Sequence, residues 1–224
     1  MRFVIGLQQA KMVSPHRSGR KKWFIIPLKS IFKMKNDIIL SGVGGQGILS
    51  IAAAIGLAAV ANDLFLKQSE VHGMSQRGGD VQSHLRLSDK PVHSDLIPYG
   101  KADLIISVEP MESLRYLPWL SKDGWLVTNS APFINIPEYP PVEEILKEIR
   151  KIKNHIIIDA DVIARESGSI RSGNMVILGA ASPFINMSFA SLEDAIRKLF
   201  GRKGEEVVEA NLKALKAGRE LSGK

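Results

Sequence analysis

The feature that most constrains the fold is a glycine-rich turn between an apolar run and a helix-forming run. Residues 37–41 (DIILS) predict a buried parallel strand, and residues 47–61, rich in Ala, Ile and Leu, predict a helix packed against a sheet. The turn between them contains Gly42, Gly44, Gly45, Gln46 and Gly47. A strand, a glycine turn and a helix in this order bring unpaired backbone amides and the positive end of the helix dipole to one point. The turn therefore predicts a phosphate site in an α/β fold.

A second glycine segment, EVHGMSQRGGD at residues 70–80, predicts a polar loop. Its candidate contact residues are Ser75, Gln76, Arg77, Gly78 and Gly79. Arg77 would bring a permanently charged, forked guanidinium to the neighbourhood of the glycine turn. Alternatively, the glycines permit positive φ angles in a tight loop whose carbonyls Arg77 holds. Both roles of Arg77, ligand-binding and structural, stay open at this point.

Apolar runs alternate with helical patterns along the rest of the chain. Strands are predicted at 37–41, 63–67, 81–87, 102–108, 125–128 and 155–159, and helices at 47–61, 111–120, 142–153, 174–181, 192–200 and 205–221. Asp161 is predicted to cap a short helix after the last strand, and Ser191 to begin the helix at 192. This alternation predicts a three-layer α/β/α sandwich with a mostly parallel, Rossmann-like sheet.

The positive net charge of +7 comes from one end of the chain. Residues 1–36 hold nine Lys or Arg and no acid, which leaves 21 basic and 23 acidic residues, a net charge of −2, in residues 37–224. A nearly neutral body argues against nucleic acid as a partner. We interpret residues 1–36 as a basic leader outside the fold and 37–224 as the α/β domain.

The leader has three interpretations. We favour an upstream extension that precedes a natural start at Met34; the others are a targeting presequence and a basic arm for RNA or anionic lipid. Its apolar stretch at residues 23–28 is too short to span a membrane, so no membrane partner is expected.

The chain contains no cysteine, which excludes disulfides, a cysteine nucleophile and cysteine-ligated zinc or iron–sulfur sites on this chain. This composition is consistent with a cytoplasmic location. The sequence also lacks a nucleophile elbow, a P-loop lysine, HExxH and a kinase signature. We therefore predict no catalytic residue on this chain, and a binding or subunit role in a larger enzyme.

The remaining titratable candidates have ordinary structural interpretations. The spacing of His72 and His84 indicates no metal site, so no metal ligand is predicted. Glu109, Glu112 and Arg115 are predicted to form helix-start contacts and local ion pairs.

Two alternative functions remain open from the residues alone. Gly42, Gly44 and Gly47 match G-x-G-x-x-G, and Glu70, 23 residues after Gly47, lies where a dinucleotide site would place its ribose-binding acid. A stand-alone NAD(P)-dependent reductase would use these residues. The other alternative is an assembly module without ligand, in which the glycines serve only close packing of helix and sheet.

Three segments together carry a family resemblance: SGVGGQGILS, EVHGMSQRGGDVQSHLRLSD and ADLIISVEPMESLRYLPWL. They closely resemble the small (beta) subunits of the indolepyruvate:ferredoxin oxidoreductases and, more broadly, the gamma subunits or domains of the 2-oxoacid:ferredoxin oxidoreductases. The similarity extends from residue 37 to about residue 221. The HGMSQRGG form is similar to that of the arylpyruvate branch of this family.

The resemblance implies a subunit of an enzyme that oxidatively decarboxylates arylpyruvates to aryl-acetyl-CoA and reduces ferredoxin. It implies no redox centre on this chain, and a large (alpha) partner subunit that carries thiamine diphosphate, Mg and [4Fe-4S] clusters. It also implies coenzyme A as co-substrate. The best candidates for contacts with the coenzyme A phosphates or the partner are Gly44, Gly45, Gly47, Arg77 and Gly78.

Overall fold

The computed structural model describes residues 34–73 and 78–223, which form one six-stranded sheet with helices on both faces. The elements are β1 (Lys35–Val43), α1 (Ile48–Ala61), β2 (Phe65–His72), β3 (Asp80–Ser88), β4 (Ala102–Ser107), α2 (Pro110–Arg115), β5 (Leu120–Asn129), α3 (Val142–Ile149), β6 (His155–Ile158), α4 (Ala160–Glu166), α5 (Gly173–Ala181), α6 (Phe189–Phe200) and α7 (Glu205–Leu221). None of these helices is long and apolar enough to cross a bilayer.

The strand order is β2-β3-β1-β4-β5-β6. Strands β1, β4, β5 and β6 are parallel neighbours, whereas β3 runs antiparallel to both β1 and β2. The predicted mostly parallel α/β sheet is therefore confirmed. The parallel strands all end at one edge of the sheet, which we call the carboxyl edge, and the loops that follow them meet there.

Helices cover both faces of the sheet, so the central strands are apolar on both sides. Ile38 and Leu40 of β1 belong to the core formed with α1 and α4–α7, whereas Ile39 belongs to the core formed with α2 and α3. All three side chains are fully buried. This explains why the sequence of β1 is a continuous apolar run rather than an alternating one.

Several element boundaries differ from the sequence prediction. Strand β2 was expected at 63–67 but spans Phe65–His72, because its pairing with β3 continues to the second glycine segment. Helix α2 ends at Arg115, and residues 117–119 form a 3₁₀ turn. Pro118 accounts for this end, since a proline disfavours α-helical geometry at the residue before it. Residues 1–33 lie outside the described part of the chain, so their place outside the fold stays a prediction. Lys35 and Asn36, predicted to belong to the leader, pair with β3 as the first residues of β1.

The two predicted helix caps are wrong by a few residues. The carboxylate of Asp159, not Asp161, accepts a hydrogen bond from Val162 N–H at 3.0 Å, and Ser188 Oγ accepts one from Ser191 N–H at 3.1 Å. A cap must lie just before the first turn, so it is set by where the backbone enters the helix. Asp161 lies in the first turn instead, where burial, followed by the charge of Asp159, raises its pKa.

Helix α5 is apolar all round because it packs against the sheet on one side and against α7 on another. Gly179 of α5 and Gly218 of α7 make the crossing close. A Cβ on Gly179 would lie 2.0 Å from the carbonyl oxygen of Leu215, and a Cβ on Gly218 would lie 2.0 Å from that of Val176. The two helix backbones thus touch directly at this crossing.

We expect Gly179→Ala to lower the free energy of unfolding by about 3 kcal/mol, because an added methyl group would force two helix backbones apart. Chemical denaturation measures this change. The matched control is Gly201→Ala, at a right-handed helical position where an added Cβ meets nothing within 4 Å. Equal stability of the two variants would contradict the close crossing.

Candidate functional site

The glycine turn between β1 and α1 is braced by the side chain of Gln46. Its Oε1 accepts a hydrogen bond from Val43 N–H at 2.8 Å, and its Nε2 lies 3.5 Å from the carbonyl oxygen of Val108. Gln46 therefore connects the end of β1 to the residue after β4. The Gln46 side chain therefore has a structural role within the turn.

Two glycines of the turn allow close packing, and a third faces open space. A Cβ on Gly42 would lie 2.3 Å from Val108 Cγ2, and one on Gly47 would lie 2.4 Å from Asn174 Nδ2. Asn174 Nδ2 also donates to the carbonyl of Gly47 at 3.0 Å. Gly45, with φ of 101°, has nothing within 4 Å of its Cβ position. Close packing therefore leaves no room for a side chain at Gly42, and the left-handed φ of 82° disfavours one at Gly47. Gly45 leaves the surface of the turn open.

Helix α1 begins at this turn with properties that suit an anion. Its N-cap is Gly47 in the left-handed region, with no side-chain cap and no acidic residue in the first turn. The first N–H groups of a helix have no intrahelical partner, and the helix dipole makes this end positive. A phosphate held here would receive backbone hydrogen bonds and favourable electrostatics.

Two adjoining cavities open at the glycine turn, of about 560 Å³ and about 430 Å³. The larger lies between the turn, the segment before α5 and the corner between α6 and α7. The smaller extends along the carboxyl edge past the ends of β4 and β5. Both are lined by Gly45, Gln46, Arg171 and Asn174. The structure thus brings part of the predicted motif onto a crevice large enough for a small-molecule ligand.

Two cations line the larger cavity: Arg171 and Lys203. Both side chains are exposed, and neither forms an ion pair with a carboxylate in residues 34–73 or 78–223. Glu206 also lines this cavity, and Asp161 lines the smaller one. The crevice therefore combines a helix N-terminus with two cations available for an anionic ligand.

Sequence reasoning did not identify Arg171, Asn174 or Lys203 as candidates. They follow β6 or later elements and are far from the glycine turn in sequence. The signal for two of them was their position: Arg171 lies between α4, which follows β6, and the buried helix α5, and Asn174 lies in the first turn of α5. This region is at the carboxyl edge, where ligands bind in such sheets.

The second glycine segment touches the first. Gly44 N–H donates to the carbonyl of Gly79 at 2.9 Å, and Gly73 N–H donates to the carbonyl of Asp80 at 2.9 Å. Gly78, with φ of 75°, accepts a hydrogen bond from the Asn135 side chain. The two motifs are therefore neighbours, as predicted. Ser75, Gln76 and Arg77 lie outside the described residues, so their roles stay predictions.

Glu109 is fully buried just after β4 and holds a long loop in place. Its carboxylate accepts hydrogen bonds from Glu112 N–H at 2.8 Å, Phe133 N–H at 3.2 Å and the Tyr139 hydroxyl. Burial, followed by this bond to Glu109, raises the pKa of Tyr139. The predicted helix-start role of Glu109 is confirmed.

Glu112 and Arg115 form the predicted local ion pair, at 2.8 Å. Burial raises the pKa of Glu112, although the bond to Arg115 opposes that shift. Neither residue lines the two cavities described above.

The two histidines considered above have structural partners. His84 is buried, its Nδ1 accepts a hydrogen bond from Ile97 N–H at 3.0 Å, and its ring meets Trp119 edge-on. Burial lowers the pKa of His84. His72 pairs with Glu70. Across residues 34–73 and 78–223, no group of three His, Asp or Glu side chains is placed to hold a metal ion.

The dinucleotide alternative lacks support from the sheet topology. A dinucleotide site places its acid on the parallel strand next to the glycine turn. Here the antiparallel β3 occupies that position, and Glu70 lies on the edge strand β2. The Glu70 carboxylate binds His72 and, at 3.2 Å, Gln68 Nε2. Glu70 follows Gly47 at the expected distance along the sequence, but it does not lie on the strand where a dinucleotide site needs its acid.

We expect the stability of the protein to show a pH dependence that originates at His84. Because burial lowers its pKa in the folded state, the unfolded state binds more protons below the ordinary histidine pKa of about 6.5. His84 therefore contributes a loss of stability as the pH falls through that value. His84→Asn keeps an acceptor for Ile97 N–H but cannot titrate. Urea denaturation at pH values on both sides of about 6.5 should show a smaller pH-dependent loss in the variant; an identical loss would contradict this assignment.

The sequence matches the family described as pyruvate ferredoxin/flavodoxin oxidoreductase over residues 37–221. Among curated proteins, it is 38% identical over 194 residues to the indolepyruvate oxidoreductase subunit IorB of Archaeoglobus fulgidus, covering 83% of this chain and 94% of the relative. It is 35% identical to the IorB subunit of Methanothermobacter thermautotrophicus, with 83% and 96% of the two chains covered.

Solved structures share the fold. The pyruvate oxidoreductase subunit PORC of Thermotoga maritima superposes with a TM-score of 0.63 at 23% identity, covering 84% of this chain and 96% of that chain. The 2-oxoglutarate:ferredoxin oxidoreductase of Magnetococcus marinus was solved with 2-oxoglutarate, coenzyme A and succinyl-CoA bound. It superposes with a TM-score of 0.67 at 24% identity, and the match covers 84% of this chain and 31% of that chain. The sequence matches, on the fold just described, show that this chain belongs to the pyruvate ferredoxin/flavodoxin oxidoreductase family.

Proposed function

We propose that this chain is the small subunit of an indolepyruvate:ferredoxin oxidoreductase. The holoenzyme would oxidatively decarboxylate arylpyruvates to aryl-acetyl-CoA and reduce ferredoxin. The observation that carries the proposal is the 38% identity to an IorB subunit over 94% of its length. Similarity to the common gamma subunit of the Pyrococcus abyssi pyruvate/ketoisovalerate oxidoreductases is lower, at 27%, which favours the arylpyruvate branch.

The redox chemistry is proposed to belong to a larger, alpha subunit. That subunit would bind thiamine diphosphate, Mg and [4Fe-4S] clusters, and ferredoxin would receive electrons from the assembled complex in the cytoplasm. This chain has no cysteine and therefore no thiolate ligand for an iron–sulfur cluster. The division of labour is consistent with the crevice of this chain, which combines a helix N-terminus with Arg171 and Lys203.

The contribution of this chain would be to hold the phosphates of coenzyme A. The start of α1 provides backbone N–H groups at the open surface beside Gly45, and Arg171 and Lys203 provide positive charge. These features converge on a cavity of about 560 Å³. Phosphate groups prefer this combination of helix N-terminus and cationic side chains. Arg77, from the second motif, is proposed to approach the same ligand.

The first test is the activity of the purified complex. The full-length chain, co-expressed with its larger subunit, should catalyse indolepyruvate-dependent reduction of ferredoxin that requires coenzyme A. The separated chain should show no such activity, because it has no redox centre. An isolated chain that instead oxidises NADPH or NADH would favour the reductase alternative and contradict the subunit proposal.

The second test addresses the coenzyme A contact. In the complex, Arg171→Ala should raise KM for coenzyme A by about tenfold or more, since a hydrogen bond to a charged group contributes about 1.5–3 kcal/mol. KM for indolepyruvate should change little. The matched control is Arg202→Ala, an exposed arginine outside the lining of the larger cavity. An equal KM for coenzyme A in both variants would contradict the proposed phosphate contact.

A further inference from the structure

Four large apolar side chains are exposed on segments that adjoin the two glycine motifs: Leu49, Phe133, Ile134 and Ile136. We call these four residues the apolar rim. Leu49 lies in the first turn of α1, and the other three lie in the loop that follows β5. Ile134 is 70% exposed, the largest exposed fraction among the large hydrophobic side chains in the described ranges. Large apolar side chains exposed beside a ligand crevice are a feature of interaction sites.

The loop that carries three of these residues is firmly held. Buried Glu109 accepts hydrogen bonds from Phe133 N–H and the Tyr139 hydroxyl, and Asn135 donates to the carbonyl of Gly78. Four prolines within residues 132–141 restrict the backbone further. A surface that is already ordered loses less conformational entropy when a partner docks. The apolar rim is therefore presented on a preorganised loop.

The apolar rim is continuous with the candidate ligand site. Leu49 and His72 line a cavity of about 270 Å³ together with Gly44 and Gly47 of the turn. The hydrogen bond of Asn135 to Gly78, and that of Gly44 N–H to Gly79, connect the β5 loop to the same turn. A partner seated on the rim would therefore border the phosphate crevice.

The two segments that carry the apolar rim contain no charged residue. Residues 129–137 (NSAPFINIP) and all of α1 contain no Asp, Glu, Lys or Arg. The buried centres of protein–protein interfaces are depleted of charged residues, whereas ordinary solvated surface is rich in them. This pattern favours a protein partner with an apolar contact surface over a nucleic acid or an anionic membrane.

We infer that the apolar rim is the docking surface for the larger subunit, which would contact it through an apolar patch and close the crevice from outside. This inference rests on the proposed function. The choice of occupant is supported by chain length: this chain covers only 31% of the Magnetococcus marinus oxidoreductase chain, so there the same fold is part of a polypeptide about three times as long. Where the fold is a separate chain, contacts with the rest of such an enzyme become contacts between subunits.

The test is a charge placed on the most exposed residue of the apolar rim. Ile134→Lys in the full-length chain should raise the dissociation constant for the larger subunit by about tenfold or more, because a desolvated, unpaired charge opposes docking. The matched control is Val60→Lys, at the opposite end of α1, where the native side chain is 65% exposed. Both variants should keep the wild-type Tm as isolated chains. Biolayer interferometry against the purified larger subunit measures the affinities.

Two results would overturn the inference. One is equal affinity of both variants for the larger subunit. The other is loss of self-association in Ile134→Lys with unchanged affinity for the larger subunit, which would assign the apolar rim to a second copy of this chain. A wild-type complex that assembles but does not oxidise arylpyruvates contradicts the proposed function alone, since docking is measured separately from turnover.

Discussion

The start of α1 meets α5 at Gly47, whose φ of 82° is a left-handed conformation that favours glycine. Asn174 Nδ2 occupies the space that a Cβ of Gly47 would need and donates to the Gly47 carbonyl at 3.0 Å. This contact sets the direction of α1 and brings α5, with the preceding Arg171, to the glycine turn. Gln46 braces the same turn against Val108. Gly45, Gln46 and Asn174 all line the crevice, so this junction sets the side of it that the glycine turn forms.

The junction explains how this chain presents a surface suited to an anion. An uncapped helix N-terminus and two cations that form no ion pair within residues 34–73 and 78–223 are suited to hold an anion. Two buried carboxylates form hydrogen bonds and ion pairs that hold the fold together. Glu109 holds the β5 loop, and Asp37 binds Arg86 at 2.8 Å while Arg86 also reaches the carbonyls of Ser94 and Leu96.

The elements with strong periodic or apolar patterns could be predicted from the sequence. Helix α7 has the predicted bounds, and β1, α1 and β4 differ from prediction by only a few residues. The failures have a common origin: β2 is longer, and the caps are Asp159 and Ser188, because pairing partners and chain entry angles decide those boundaries. Glu70 was a candidate for the ribose-binding acid of a dinucleotide site only because of its spacing from Gly47. The strand order places it on the edge strand β2, away from that position.

The sequence by itself determined the α/β class, the glycine turn at a helix start, the absence of thiolate ligands and the resemblance to the 2-oxoacid oxidoreductases, because each depends on local pattern or composition. Only the tertiary structure decided that Arg171, Asn174 and Lys203 meet this turn, and that Phe133, Ile134 and Ile136 stand exposed beside the second motif. These residues are distant along the chain. Their convergence follows from sheet order and helix packing, which no local pattern encodes.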